Sequence, residues 1–291
     1  MKEGEPEGAR VNGTPLMHLL LLFHSDERGG WGVRDNEINA MKQKTILAAV
    51  LATLTLWSAP LATGPVRAED TPKLDVATKK LITEKIKDMS ATLRVTETNW
   101  RELEKCGSDF KRTYYFKRMN VAYRYPNQTR METKALGATL LIIFNGDTRY
   151  YKVPLKTETS SVAGQPGQKQ GLLQFGVYAP DFLVLDYEPH FVRAEKNLHL
   201  IRLTQRRSNN KSFELVWVNP KTHIIERRQS WNGDNELTME LRYKDVKEAR
   251  PGIFVPHRIE IYNPEGKLGA AQAVENLTIN TGLADALFAT P

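Results

Sequence analysis

Residues 112–154 read RTYYFKRMNVAYRYPNQTRMETKALGATLLIIFNGDTRYYKVP, and this stretch decides the fold of the chain. It is rich in Tyr, Phe, Val and Ile, which favour strands. Turn-forming residues interrupt it at Pro126-Asn127, at Gly137 and at Asn145-Gly146-Asp147. Because Asn-Gly supplies the left-handed residues of a tight hairpin, the stretch predicts successive antiparallel strands joined by turns. The continuous apolar run 138–144 predicts a strand that is covered on both faces.

One arginine in this stretch is predicted to lie on an apolar face. Tyr114 and Phe116 are apolar at even positions and Arg118 continues their face, whereas the large apolar residues after Asn120 are at odd positions. Since side chains alternate between faces along a strand, this change predicts a bulge or tight break near Met119-Asn120. The alternative interpretation is an arginine at a strand end that simply reaches solvent.

Strand patterns with regular turns continue through the second half of the chain. Residues 237–243 alternate most cleanly, so one face of the predicted sheet is apolar and the other wet. A first helix is predicted from Asp75 to Met89, and residues 99–109 read as a long hairpin loop. About ten strands with two or three helices predict an α+β, mainly β fold. We expect a single curved antiparallel sheet, an incomplete (half) β-barrel with helices on one face.

A polar loop followed by an apolar segment interrupts the predicted strands. Residues 157–171 have little to bury and predict a mobile surface loop. Residues 172–185 are apolar and broken at Gly176 and Pro180, and Asp181 is placed to cap a short helix. A loop that feeds such a segment is typical of a lid over a cavity, although a simple cap on the core is at least as common an arrangement.

The first part of the chain is predicted to be removed. Met41-Lys-Gln-Lys44, an apolar run and a small-residue region have the layout of a secretory signal peptide, with cleavage after Ala68. The run is shorter than the about 20 residues of a spanning helix. Residues 1–40 are interpreted as an extension before the true start at Met41, with a genuine pre-sequence as the alternative. We expect one exported domain over residues 69–291.

Composition and motifs give no support for catalysis, metal binding or nucleic-acid binding. The net charge of +7 is spread along the strands, which favours weak attraction to anionic surfaces. The histidines lack metal-ligand spacing, and no GxSxG, phosphate-loop or GxGxxG motif is present. Cys106, the only cysteine, lies away from the cleavage point, so we expect no N-terminal lipid anchor. A Cys106 nucleophile and a carboxylate pair among Asp181, Asp186 and Glu188 are weaker alternatives.

Three motifs, in order, resemble the periplasmic lipoprotein carriers and outer-membrane lipoprotein-sorting proteins, the LolA/LolB-like family. Lys117-Arg118-Met119-Asn120 is similar to the family's K-R-P-n, with Met119 in place of the usual proline. Residues 146–154 are similar to its G-x-x-x-x-Y-x-P hairpin, and residues 280–288 to its N-x-x-L-x-x-x-x-F ending. The likeness covers most of the predicted mature chain.

The resemblance implies a half-open barrel whose concave apolar face, covered by helices, holds acyl chains of a lipoprotein or lipid. It implies that Arg118 hydrogen-bonds the lid, and that the protein is a soluble periplasmic carrier, not an enzyme, without a cofactor. We expect a monomer with an inner-membrane donor and an outer-membrane acceptor as partners. The expected ligand-binding residues are Tyr114, Phe116, Arg118, Ile142, Phe144, Leu172, Leu173, Phe175, Phe182, Trp217, Leu237, Met239 and Leu241.

Three alternatives stay open at this point. A relative of the same fold senses lipoproteins or regulates envelope stress. An enzyme would use the predicted cavity as its active site and would show titratable groups that converge there. A purely structural envelope protein would fill the concave face with side chains.

Overall fold

A computed structural model describes residues 74–107, 111, 114–135, 138–154, 156–163, 169–181, 186–206 and 211–290. The predicted extension 1–40, the predicted signal peptide 41–68 and Phe182 lie outside these ranges. So does the centre of the predicted mobile loop, residues 164–168.

The described residues form one curved, open antiparallel sheet of 13 strands, as predicted. The order across the sheet is β6-β5-β4-β3-β2-β1-β13-β12-β11-β10-β9-β8-β7. The strands are Asp88–Thr98 (β1), Arg118–Arg124 (β2), Gln128–Ala135 (β3), Ala138–Asn145 (β4), Thr148–Val153 (β5), Lys156–Ser161 (β6), Tyr187–Glu195 (β7), Leu198–Gln205 (β8), Phe213–Val218 (β9), Ile225–Trp231 (β10), Leu237–Arg250 (β11), Ile253–Tyr262 (β12) and Leu268–Ile279 (β13).

The strand order forces one connection to cross the sheet. β6 and β7 follow each other in sequence but lie at opposite edges. The chain between them, residues 162–186, therefore has to run from one edge to the other. We call this segment the crossover. Its 3-10 turn, Leu172–Phe175, packs on the face of the sheet that carries Tyr123 and Phe144, which we call the inner face.

The first helix is shorter than predicted. Helix α1, Val76–Leu81, is capped by Asp75, whose carboxylate accepts from the Thr78 backbone at 2.7 Å. The prediction of a helix as far as Met89 is wrong, because Met89 pairs with Tyr123 in the ladder between β1 and β2. Sheet pairing has overridden a helical spacing of apolar residues that was only local.

A second helix replaces part of the predicted hairpin loop. Helix α2, Trp100–Glu104, has Asn99 as its N-cap residue, and the Asn99 side chain accepts a hydrogen bond from the Glu102 backbone at 3.4 Å. Leu103 is fully buried beside Tyr114 and Ile261. Both helices thus cover the inner face, as expected for the fold class.

The pairing of β2 with β1 contradicts the predicted bulge. Arg118 to Arg124 pair with β1 without a shift, from Arg94 opposite Arg118 to Asp88 opposite Arg124. Tyr114 and Phe116 precede the strand, so their even positions say nothing about which face a residue of the strand occupies. The predicted break at Met119-Asn120 is therefore wrong.

The apolar run in β4 is buried on both faces, as predicted. Phe144 packs on the inner face, whereas Leu141 and Ile143 form a small cluster with Tyr150 on the other side. A strand with only one dry face would alternate instead.

The C-terminal segment closes part of the outer face. Phe288 is 1% exposed and lies 4.9 Å from the Arg124 guanidinium, and Arg124 also contacts Asp285. Asn280 accepts from the Lys87 backbone at 2.7 Å. The Asn280 to Phe288 motif thus docks the end of the chain on β2.

The rest of the outer face carries a network of charges. Glu260 accepts from Lys244, Arg258 and Tyr262, each at 2.7 Å. Burial alone would raise the pKa of Glu260, but these hydrogen bonds lower it to about 2. The carboxylate therefore stays charged well into the acid range.

We expect Glu260→Gln to lower the free energy of unfolding at neutral pH by about 1 kcal/mol, a figure kept small because solvent screens this network. A carboxylate whose folded pKa is lowered contributes stability above its ordinary pKa, and that stability is lost as the pH falls through the folded value. The difference between wild type and variant should shrink between about pH 5 and pH 2 in urea unfolding curves. A difference that does not change with pH would contradict this account.

Candidate functional site

The crossover lies in the apolar interior of the molecule. Leu172 and Leu173 are at most 1% exposed and Phe175 is 6% exposed. Leu172 and Phe175 pack with Phe144 and its neighbours, and Leu173 packs in the adjoining cluster of β8 to β11. The crossover therefore joins the two halves of the core across the inner face.

Among the described residues of the crossover, one isolated β-bridge ties the backbone to the sheet. Val177 pairs with Ile224, which directly precedes β10. The Tyr178 backbone donates to His223 at 2.9 Å, and the Ile225 backbone donates to Gly176 at 2.7 Å. This pairing is one isolated bridge, in contrast to the continuous ladders of the strands beneath it.

A tyrosine of β11 supports the crossover from below. Gly176 has φ +73°, and a Cβ on it would lie 2.4 Å from the Tyr243 ring. The Tyr243 hydroxyl donates to the Leu173 carbonyl at 3.2 Å. Only glycine allows the backbone to approach this ring so closely.

Polar groups hold the two ends of the crossover. The Leu172 backbone donates to the buried Asp181 carboxylate at 2.5 Å. Lys169 Nζ lies 2.6 Å from Asp147 in the β4–β5 turn and 3.4 Å from Asp186, which precedes β7. One buried ammonium therefore joins both ends of the crossover to the β4–β5 hairpin.

A buried ion pair lies beside the crossover on the inner face. Arg228 donates twice to Glu214, at 2.6 Å each, and the Tyr187 hydroxyl donates to the same carboxylate at 3.1 Å. Burial alone would lower the pKa of Arg228, but the Glu214 charge raises it well above its usual value. Burial raises the pKa of Tyr187. The arginine therefore stays charged inside an apolar surround.

In this conformation side chains fill the inner face. Tyr178 and Tyr123 show no exposed surface, like Ile201 and Val216. These side chains are covered in the described part of the molecule. A ligand would have to displace the crossover to reach the inner face.

Several predicted ligand-binding residues do lie together on the inner face. Phe144, Leu172 and Phe175 share one cluster, with Ile142 against it, while Leu173 and Leu241 belong to the next. The others lie farther along the molecule. Tyr114 packs with α2, Phe116 packs with Leu140 and Tyr151, Met239 is buried on β11 and Leu237 is half-buried at the start of that strand.

Arg118 does not hold the crossover. Its side chain is 64% exposed and pairs with Glu275 of β13 at 3.1 Å. Val121 and Tyr123 of the same strand point to the inner face, so Arg118, at an even position, points to the outer face. The predicted contact between Arg118 and the lid is wrong. The alternative interpretation, an arginine that reaches solvent, describes its position.

Trp217 also lies on the outer face. Its neighbours Val216 and Val218 belong to the inner cluster, so the indole points away from it. The Arg227 guanidinium lies 3.5 Å from the indole ring, and the indole N–H donates to Glu195 at 3.0 Å. Trp217 is therefore part of an outer aromatic and arginine stack.

The residues that hold the crossover could not be singled out in the sequence. Lys169 ends an ordinary polar loop, and Tyr243 is one of several apolar residues on an alternating strand. Their partners are remote in sequence: Tyr243 and Leu173 are 70 positions apart. The one available signal is Gly176 itself, because a glycine that interrupts an apolar segment often marks a position with positive φ.

Among the described residues, Cys106, Asp181 and Asp186 take part in separate structural contacts. Burial and the nearby Glu102 charge raise the pKa of Cys106 to about 12, so the reactive thiolate is scarce at neutral pH. Asp181 accepts from the Leu172 backbone and Asp186 pairs with Lys169. Within the described ranges, no group of three or more His, Cys, Asp or Glu side chains is arranged to hold a metal. None of the helices in that part of the chain has the length and apolar character of a membrane span.

Comparison with known proteins finds similarity in structure only. No protein-family model matches the chain, and no curated protein matches it significantly in sequence. A putative outer membrane lipoprotein-sorting protein domain from Vibrio parahaemolyticus is 10% identical, with a TM-score of 0.49, covering 73% of this chain and 93% of that one. A LolA superfamily protein from Nitrosomonas europaea is 13% identical, with a TM-score of 0.46, covering 73% and 94%.

A DUF1329 family protein from Desulfovibrio piger is similar to the same extent, with 13% identity, a TM-score of 0.46 and coverage of 74% and 93%. All three TM-scores are below 0.5, so the function has to be argued from the side chains of this chain.

Proposed function

We propose that this protein is a soluble periplasmic carrier that binds the acyl chains of a lipid or lipoprotein between its inner face and the crossover. The observation that carries the proposal is the crossover itself. The described part of the crossover, residues 169–181, packs apolar side chains on the apolar inner face and joins the two halves of the core. An inner-membrane donor and an outer-membrane acceptor are the partners that such a carrier needs, and no chemical step is part of its action.

The energetics favour reversible loading. Burying an acyl chain contributes about 0.8 kcal/mol for each CH₂ group. The ligand would replace Leu172, Leu173 and Phe175, which are hydrocarbon groups of the same kind, so the apolar burial before and after loading is similar. A small difference in affinity between the open and covered states then suffices to move the cargo on.

The crossover is the element best suited to move. The strands beneath it are joined by continuous hydrogen-bond ladders, whereas the described part of the crossover has one isolated β-bridge, between Val177 and Ile224, and a few single hydrogen bonds to the sheet. Segments with few backbone hydrogen bonds open at lower cost than the core strands of a protein.

A structural envelope protein is the second candidate function, and the filled inner face favours it. Such a protein would keep the crossover closed and would take up no acyl ligand. The two candidates differ in one measurable property, which is whether locking the crossover has any effect on ligand uptake.

A disulfide between crossover and sheet tests this directly. Val177 and Ile224 are a non-hydrogen-bonded antiparallel pair, because the backbone hydrogen bonds lie on either side of them. The Cα atoms of such a pair lie about 4.5 Å apart. This distance is within the range that a disulfide can bridge. We expect oxidised Val177→Cys/Ile224→Cys to take up no fluorescent fatty acid, and the reduced form to take it up like wild type.

The single variant Val177→Cys under the same oxidant is the control, and the buried Cys106 thiol should stay out of the exchange. Equal uptake by the oxidised and reduced forms would overturn the role of the crossover. If wild type itself takes up no fatty acid and carries no lipid in mass spectrometry after purification, the structural candidate stands.

A further inference from the structure

Exposed apolar side chains cluster where α1 meets the edge strand β7. Six large apolar side chains are exposed among the described residues, and three of them lie here: Val76 (69%), Val192 (44%) and Phe191 (36%). The helix packs on β7. Val76 and the β7 residues therefore form one surface, which we call the α1–β7 patch.

A bulge shapes this patch. Phe191 pairs with Ile201 and Arg193 with Leu200, so Val192 is an extra residue without a partner on β8. A bulge on an edge strand redirects side chains and blunts the edge against pairing with another strand. Here it leaves two adjacent apolar side chains exposed, an arrangement that does not serve the core.

Basic side chains border the apolar ones. Lys79 and Lys80 follow Val76 by three and four positions, so all three lie on the exposed face of α1. Arg193 is 60% exposed on β7 and pairs with Glu195. Apolar side chains that insert, next to lysines that remain in the head-group region, are the pattern of a surface that binds an anionic bilayer.

We infer that the α1–β7 patch docks the protein on the surface of an anionic lipid bilayer. The patch adjoins the crossover, because the Thr83 backbone after α1 donates to Tyr178 at 3.0 Å and the Leu81 carbonyl contacts His223 at 3.0 Å. Docking there would bring the crossover to the membrane where acyl chains are exchanged. The role of docking in the exchange of acyl chains rests on the proposed function, whereas the inference that the patch binds a bilayer does not.

The test is sedimentation of the protein, purified from an exporting host, with lipid vesicles. We expect binding to vesicles of phosphatidylethanolamine and phosphatidylglycerol, and at least about tenfold weaker binding to pure phosphatidylcholine. Val76→Ser/Phe191→Ser/Val192→Ser should weaken binding to anionic vesicles by at least about tenfold, since exposed apolar groups supply the insertion. Lys79→Gln/Lys80→Gln should weaken it about tenfold at low salt and reduce its dependence on salt.

The matched control uses the three other large exposed apolar side chains. Tyr115→Ser/Tyr125→Ser/Val246→Ser removes groups of 42%, 40% and 37% exposure and should leave vesicle binding unchanged. The inference is overturned if wild type does not bind anionic vesicles, or if the two triple variants lose binding equally. It is also overturned if the patch variants bind like wild type, in which case the patch faces a protein partner or solvent. Fatty-acid uptake by the same variants, measured without vesicles, reports on the proposed function separately.

Discussion

Replacing Arg228 with methionine is expected to lower the free energy of unfolding by about 3–5 kcal/mol, the usual cost of removing one partner of a buried ion pair. Arg228 and Glu214 have side chains that are 6% and 8% exposed. Without the arginine, the Glu214 carboxylate keeps one hydrogen bond from Tyr187 and has no cation beside it among the contacts described above. The measurement is urea unfolding followed by circular dichroism at neutral pH.

The pair Arg242–Glu240 on the outer face provides the matched control. The two groups also meet at 2.6 Å, but the arginine side chain is 40% exposed. Arg242→Met should therefore cost below about 1 kcal/mol, as solvent-exposed pairs do. Equal losses for Arg228→Met and Arg242→Met would show that the inner pair is better solvated than its burial indicates.

A double variant separates the charge from the packing. Arg228→Met/Glu214→Leu removes both charges and leaves apolar side chains of similar size, so most of the lost stability should return. If the double variant is as unstable as the single one, the loss comes from packing around Arg228 and not from a lone carboxylate.

The strands were predictable because their signals are local. The alternation over residues 237–243 and the Asn145-Gly146 turn each involve a few adjacent positions, and both are confirmed as β11 and the β4–β5 hairpin. The apolar crossover segment was likewise recognisable from its composition. Local sequence patterns therefore predict the strands of the sheet and the apolar segment of the crossover.

The errors arise where a local pattern depends on a distant partner. The prediction that Arg118 lies on the apolar face of the sheet rests on the even positions of Tyr114 and Phe116, which do not belong to its strand. The helix predicted to Met89 ends at Leu81 because β1 needs Met89 for its pairing with β2. The contacts of Lys169 and Tyr243 join residues that are far apart in the sequence, so no short window of sequence contains both partners.

Gly176→Ala is expected to displace the crossover and to lower the free energy of unfolding by about 2–5 kcal/mol. The left-handed conformation at φ +73° costs a residue with a Cβ about 1–2 kcal/mol. The new methyl group would also meet the Tyr243 ring at 2.4 Å, and overpacking of this kind costs about 1–3 kcal/mol more. Because Tyr243 is a buried core side chain of the sheet, the crossover is the part that has to yield.

Gly266→Ala isolates the backbone cost from the cost of the clash. Gly266 has φ +76°, and a methyl group added there would meet no atom within 4 Å, so alanine should cost only the about 1–2 kcal/mol of the backbone conformation. If the crossover covers a ligand site, Gly176→Ala should take up fluorescent fatty acid faster than wild type, and Gly266→Ala should not. Destabilisation by Gly176→Ala without any change in uptake would mean that the crossover is a fixed part of the core. Faster uptake by both variants would mean that uptake follows global stability, and the crossover would lose its assigned role as the cover of the inner face.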